Sequence, residues 1–142
     1  MTSSLQKVAG ARPLVVILED DHGVRRSLQL LLQGRGFNVK AYANARALLD
    51  DPFAEAAACL VADYCLGDTD GIAVLKSLRA RGWDQPAILM TAFGSAGLAE
   101  RARAAGFSEI VEKPLKERGL TTLLERLTAC SEGLERTGSR LV

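Results

Sequence analysis

Leu14-Val15-Val16-Ile17-Leu18-Glu19-Asp20-Asp21 is five apolar residues followed by three acids. An apolar run of that length without helical spacing reads as a strand buried on both faces. Acids do not continue such a strand, so Glu19 and Asp20 mark its C-terminal end. The same figure recurs downstream. Asp63 closes Cys59-Leu60-Val61-Ala62, Thr91 closes Ala87-Ile88-Leu89-Met90, and Lys113, with Pro114 behind it, closes Ile110-Val111-Glu112. In an open parallel sheet the C-terminal strand ends share one edge, where ligands bind at the topological switch point. Three carboxylates, a hydroxyl and an ammonium would then line one crevice. That set suits a divalent cation and a phosphoryl group.

The rest of the chain supports such a sheet. Strands are expected at 14–18, 37–42, 59–62, 87–90 and 109–112, and helices at 23–34, 44–50, 71–81, 96–105 and 116–129. Val24, Leu28, Leu31 and Leu32 recur at helical spacing, with Arg25, Arg26 and Gln29 between them. Gly34 and Gly36 punctuate the end of that helix. Leu120, Leu123, Leu124 and Leu127 form a second stripe. The helix at 96–105 is alanine-rich, with Leu98 its one large apolar residue, and is expected to be loosely held. Regular alternation of strand and helix implies an α/β, doubly wound (βα)5 fold: a five-stranded parallel sheet with helices on both faces.

At 142 residues the chain fits one domain, able to bury roughly 70% of its unfolded surface. Eighteen basic residues against 17 acidic ones give a net charge of +1, which makes no electrostatic case for nucleic-acid binding. Cys59, Cys65 and Cys130 are odd in number and lack CxxC spacing, so neither zinc nor a disulfide framework is expected. No secretory leader or membrane span is read, and a cytoplasmic location is expected. Residues 1–12 read as a polar, disordered segment, 13–130 as the folded domain and 131–142 as a short polar tail.

Each candidate has a plain alternative. Asp63 could be a surface-loop aspartate before the turn-rich stretch Tyr64 to Gly71. Glu19, Asp20 and Asp21 could be solvated acids favoured by a helix N-terminus, and Asp21 is given only that capping role. Lys113 could be an exposed strand-end lysine and Thr91 an ordinary β-branched strand residue. What weighs against these readings is convergence: clustered acids repel and need a counter-charge, which Mg²⁺ supplies, and Lys113 beside Asp63 would pair with its carboxylate. His22, the single histidine, has no apparent nitrogen or thiolate partner and is read as a helix-start or loop residue. Cys65 is not assigned a redox role, and Trp83 is read as a packing anchor in a loop.

Taken in order, Val16-Ile17-Leu18-Glu19-Asp20-Asp21, Leu60-Val61-Ala62-Asp63, Asp70-Gly71, Leu89-Met90-Thr91-Ala92 and Glu112-Lys113-Pro114 resemble the receiver domain of two-component response regulators (the CheY-like superfamily) over about residues 12–130. The run Asp21 to Leu28 is most similar to receivers of the nitrogen-fixation-regulator type. The resemblance implies the flavodoxin-like strand order 2-1-3-4-5. It implies that Asp63 accepts a phosphoryl group from a sensor histidine kinase or phosphotransfer protein. Glu19, Asp20, Asp63 and the backbone carbonyl of Cys65 would hold Mg²⁺, or Mn²⁺ in its place. Thr91 would hydrogen-bond the phosphoryl group and Lys113 would pair with it. Output would pass to a downstream protein, a DNA-binding domain in a longer chain, or a homodimer formed on phosphorylation.

Three departures from the family pattern involve four positions. Ile110 stands where an aromatic switch residue is usual, Gly67 where the acceptor loop commonly has proline, and Cys65 and Phe93 at the two positions that tune phosphate lifetime. Neither Cys65 nor Phe93 is suited to orient an attacking water, so slow self-dephosphorylation is expected. Rival readings fit less well. A haloacid-dehalogenase-type phosphatase needs an acid where Cys65 stands. A flavodoxin-like cofactor binder needs a phosphate cradle where Glu19-Asp20-Asp21 would repel phosphate. A pseudo-receiver acting as a phosphorylation-independent interaction module is the remaining alternative, sustained by Ile110.

Overall fold

The computed structural model describes residues 12–67, 69–116 and 119–129. Almost all of the expected N-terminal segment, the whole tail 131–142, and Asp68 lie outside these residues. The elements run β1 (Leu14–Leu18), α1 (His22–Gly34), β2 (Asn38–Tyr42), α2 (Ala45–Leu49), a 3-10 turn (Pro52–Ala56), β3 (Cys59–Asp63), α3 (Gly71–Ala80), β4 (Ala87–Thr91), α4 (Ala96–Ala105), β5 (Glu109–Glu112) and α5, helical over 119–129. All strand pairs are parallel, in the order β2-β1-β3-β4-β5. The expected doubly wound sheet and strand order are therefore present.

Every residue of β3 and β4 is buried, as continuous apolar runs require when both sheet faces are covered. Side chains alternate between the two layers. Val16, Leu18, Leu60, Ala62 and Leu89 join α2, α3 and α4 through Leu48, Leu75, Leu78 and Leu98. Val15, Ile17, Val61, Ile88 and Met90 join α1 and α5 through Leu28, Leu32, Leu120 and Leu124. Each fully buried aliphatic side chain contributes about 2 kcal/mol of transfer free energy. The alanine-rich α4 is anchored by Leu98 and Ala102, both buried, and is capped by Ser95. Trp83 is the expected anchor: it is 5% exposed and its Nε1–H donates to the Ala57 carbonyl at 3.1 Å.

The register positions the functional edge. Leu18 pairs with Ala62, Asp63 with Met90, and Thr91 with Glu112. The residues that end β1, β3, β4 and β5 therefore arrive side by side. The loops after β1, β3 and β4 each lead into a helix whose first turn is capped by a side-chain oxygen. Asp21 accepts from Val24 N–H at 2.9 Å, Asp70 from Ala73 N–H at 2.8 Å and Ser95 from Leu98 N–H at 3.1 Å. Asp21 thus has the capping role expected of it.

The 3-10 turn was not expected from the sequence. Pro52 starts it, Asp51 caps it through Phe53 N–H at 3.0 Å, and Asp51 also accepts from the Tyr42 hydroxyl at 2.7 Å and pairs with Lys40 at 3.0 Å. These contacts, the Tyr42 hydrogen bond foremost, hold the Asp51 carboxyl below the usual aspartate range. A depressed folded-state pKa stabilises the protein above the unfolded value, about 4, and that contribution is lost as pH falls through the folded value. The wild-type chain is therefore expected to lose stability more steeply than Asp51→Asn as pH drops from about 4 toward 3. Thermal unfolding of both across that range checks this; parallel slopes would reject the assignment.

Candidate functional site

Glu19 follows β1 and has no solvent exposure; its backbone N–H donates to the Tyr42 carbonyl at 3.1 Å, which extends the sheet contact by one residue. Asp63 is the last residue of β3 and is 6% exposed. Lys113, just beyond β5, reaches both: its Nζ donates to Glu19 Oε1 at 2.8 Å and to Asp63 Oδ2 at 3.1 Å. The Lys113–Pro114 peptide bond is cis. Carboxylate oxygens of Glu19, Asp20 and Asp63 lie within 4.8 Å of one another. The convergence expected of these four residues is thus present.

One ammonium faces three carboxylates. Burial pushes the Glu19 carboxyl above the usual range, and the hydrogen bonds from Lys113 and Asp21 N–H oppose that only in part. Burial disfavours the charge on Lys113, but its bonds to Glu19 and Asp63 outweigh burial and raise its pKa. The site keeps its lysine charged and carries surplus negative charge.

The donors suit a hard cation. Both Glu19 oxygens are already engaged, Oε1 by Lys113 and Oε2 by Asp21 N–H at 3.1 Å. Among the described residues Asp20 is exposed and makes no side-chain hydrogen bond, and Asp63 Oδ1 is likewise unclaimed. Cys65 forms an isolated antiparallel bridge with Asp70. The hydrogen bonds of that bridge belong to its flanks, Gly71 N–H to the Tyr64 carbonyl at 3.0 Å and Leu66 N–H to the Thr69 carbonyl at 3.2 Å. The Cys65 carbonyl is therefore free of backbone partners among the described residues. Carboxylate and carbonyl oxygens with no nitrogen or thiolate match Mg²⁺ or Mn²⁺ rather than zinc.

Thr91 ends β4 and is 3% exposed. Its hydroxyl is turned into the following loop, donating to the Phe93 carbonyl and accepting from Phe93 N–H, each at 3.2 Å. Phe93 itself is 88% exposed. Ile110 is half-buried against the α4 layer, and among the described residues no aromatic side chain stands in its place. Gly67 has φ +84, a backbone conformation closed to proline, so the acceptor loop takes a path that proline at this position would forbid.

Several functional details escaped the sequence reading. Gly71 starts α3 directly beneath the acceptor: a Cβ there would lie 2.6 Å from the Asp63 carbonyl oxygen and 2.9 Å from Leu89 Cδ1. Gly71→Ala is expected to destabilise by about 2 kcal/mol and to displace the end of β3. Urea unfolding checks the first effect, and Mn²⁺ affinity the second. Asp-Gly was visible as a turn signal, but the close approach was not. Arg101 on α4 stacks over the Tyr64 ring at 5.8 Å and donates to its hydroxyl at 3.2 Å, tying α4 to the residue after Asp63. His22 is the first residue of α1, and its Nδ1 lies 3.1 Å from Arg25 Nη2.

Among the described residues no helix is long and apolar enough to cross a membrane. Comparison with known proteins agrees with the geometry. The sequence profile of the response regulator receiver domain matches residues 15–125. The transcriptional regulatory protein FixJ of Bradyrhizobium diazoefficiens is 33% identical over 111 residues, covering 78% of this chain and 54% of FixJ. The C4-dicarboxylate transport transcriptional regulatory protein DctD of Rhizobium meliloti is 31% identical, over 73% of this chain and 23% of DctD. The chain thus spans about half the length of FixJ and less of DctD. The crystal structure of FixJ-N superposes with a TM-score of 0.74 at 30% identity, covering 84% of this chain and 95% of that one. The signal receiver domain of a putative LuxO repressor from Vibrio parahaemolyticus shares the fold with a TM-score of 0.82 at 20% identity, over 89% and 98% of the two chains. With the profile spanning the same strand ends that carry the acids, threonine and lysine, the chain belongs to the response regulator receiver domain family.

Proposed function

We propose that this chain is a phosphorylation switch in which Asp63 accepts a phosphoryl group from the phosphohistidine of a sensor kinase or phosphotransfer protein. The observation that carries this reading is the single ammonium of Lys113 bonded to both Glu19 and Asp63, with Asp20 alongside. Asp63 attacks through Oδ1, the oxygen that Lys113 leaves free. The new O–P bond forms as the donor N–P bond breaks, and the departing imidazole keeps the electron pair and takes up a proton. Lys113 then transfers part of its hydrogen bonding from Asp63 to a phosphoryl oxygen. Thr91 exchanges its bond to the Phe93 carbonyl for one to the phosphoryl group, which pulls on the loop leading to α4. Asp20, Asp63 and the Cys65 carbonyl, with Glu19 behind them, would hold Mg²⁺ or Mn²⁺. That ion supplies neutralisation of the charge that accumulates on the transferring group.

Cys65 and Phe93 are both exposed, and neither side chain is suited to orient an attacking water, which supports a long-lived acyl phosphate. Output is read as passing through the α4 side. It would reach a downstream protein, a second copy of the chain, or a DNA-binding domain in a longer chain, as the names of the roughly twice-longer relatives suggest.

Intact mass after incubation with a small phosphodonor and Mg²⁺ tests the proposal. A phosphoryl adduct that requires Mg²⁺ and Asp63 is expected. No adduct on folded protein with Mg²⁺ present would overturn it in favour of a phosphorylation-independent interaction module.

A further inference from the structure

We infer that Arg25 is a positioning residue for the divalent-cation site, holding Asp20 in place through its backbone. This rests on the proposed metal site and adds to it a residue outside the acid, threonine and lysine set. Asp20 has a problem that its neighbours lack. Glu19 is buried and bonded through both oxygens, and Asp63 is held by Lys113 and by its strand. Asp20 is exposed, and among the described residues its carboxylate has no partner. Its direction therefore depends on its backbone alone, in a three-residue connection from Leu18 to His22.

That connection is clamped from one side chain. Arg25 Nη1 donates to the Glu19 carbonyl at 2.9 Å and, more weakly, to the Asp20 carbonyl at 3.4 Å. Its Nη2 lies 3.1 Å from His22 Nδ1, and its own backbone N–H donates to the Asp21 carbonyl at 2.9 Å. Nη1 alone touches the carbonyls before and after the Asp20 Cα while Nη2 sits beside His22, so the peptide planes that aim the Asp20 side chain are set by one nitrogen of a guanidinium whose other nitrogen is placed on the first turn of α1. Lysine can offer charge there but not a second nitrogen beside His22.

Charge and geometry predict opposite signs, which makes the role testable. If Arg25 acted only as a nearby positive charge, it would repel a divalent cation, and its removal would tighten metal binding. If it positions Asp20, its removal weakens binding by about tenfold or more, the usual consequence of removing a group that orients a ligand. Mn²⁺ binding should be measured by the loss of the free-ion EPR signal for the wild-type chain, Arg25→Ala, Arg25→Lys and Arg26→Ala. Thermal midpoints of all four should be taken in EDTA. Arg26 is exposed, on the same helical turn, and controls for charge.

Both Arg25 variants are expected to bind about tenfold more weakly with near-unchanged midpoints, while Arg26→Ala binds within twofold of wild type. Adduct formation by the Arg25 variants should recover at saturating Mn²⁺, as a binding defect requires. Unchanged or tighter binding by Arg25→Ala, wild-type affinity in Arg25→Lys, or equal weakening in Arg26→Ala would overturn the inference and leave the metal site standing. No Mn²⁺ binding by the wild-type chain would remove the metal site and the inference together.

Discussion

Asp63→Asn is expected to take up no phosphoryl group and, in the absence of metal, to unfold at a higher temperature than the wild-type chain. The loss of the adduct follows because an amide offers no nucleophilic carboxylate. The gain in stability follows from the charge balance. Glu19 and Asp63 are both buried and share one ammonium, with Asp20 within 4.8 Å. Replacing Asp63 removes a repelling carboxylate and leaves the Lys113–Glu19 pair intact at 2.8 Å, so no buried charge is orphaned. The expected gain is about 1 kcal/mol, or about 4 °C for a domain of this size. Strain of this kind is what a functional site stores, and a cation should relieve it in the wild type. Adding Mg²⁺ should therefore raise the wild-type midpoint more than the variant's and narrow the gap. Differential scanning calorimetry with EDTA and with Mg²⁺, beside intact mass, provides the check. A variant less stable than wild type in EDTA would show that the acids are not in conflict.

Lys113→Met acts on the same cluster with the opposite sign. Methionine keeps most of the stem's volume but leaves Glu19 and Asp63 facing one another with no counter-charge. Removing one partner of a buried ion pair costs about 3 kcal/mol. Adduct formation should fall at least about a hundredfold, because the phosphoryl group loses its one fixed cation. The stability loss carries a pH signature. Without the ammonium the Glu19 carboxyl, already raised by burial, rises further above its unfolded value, about 4.3. A raised folded pKa means stability present below the unfolded value and lost as pH climbs through the folded one. The deficit relative to wild type should thus be small near pH 4 and grow toward pH 7. Urea unfolding at three pH values reads it directly. A deficit independent of pH would point to lost packing of the lysine stem instead.

Much of the fold was legible because its signals are local. Leu14–Leu18, Cys59–Asp63 and Ala87–Thr91 are apolar runs ended by a polar residue, and burial on both faces is what such runs require. Element ends moved by a residue or so: Asp63 and Thr91 belong to their strands, since ladder pairing continues to Met90 and Glu112. The turn at Pro52–Ala56 was missed because its stability comes from Tyr42 and Lys40 on a neighbouring strand meeting Asp51. A sequence window contains no such partner.

The residue types of the site, and their place at strand ends, followed from the sequence alone, because strand termination by a polar residue is a property of a few adjacent positions. Tertiary structure decided how those residues use one another. Only the parallel register across β1, β3, β4 and β5 makes Lys113 bridge Glu19 and Asp63, 94 and 50 positions away. Only packing shows that Gly71 can carry no Cβ, that Thr91 spends its hydroxyl on Phe93, and that Arg25 grips the backbone around Asp20. The physical reason is range. Hydrophobic pattern and chain stiffness act over a few residues and are written in order, whereas charge pairing and close contact act through space and exist only once the sheet has closed that distance.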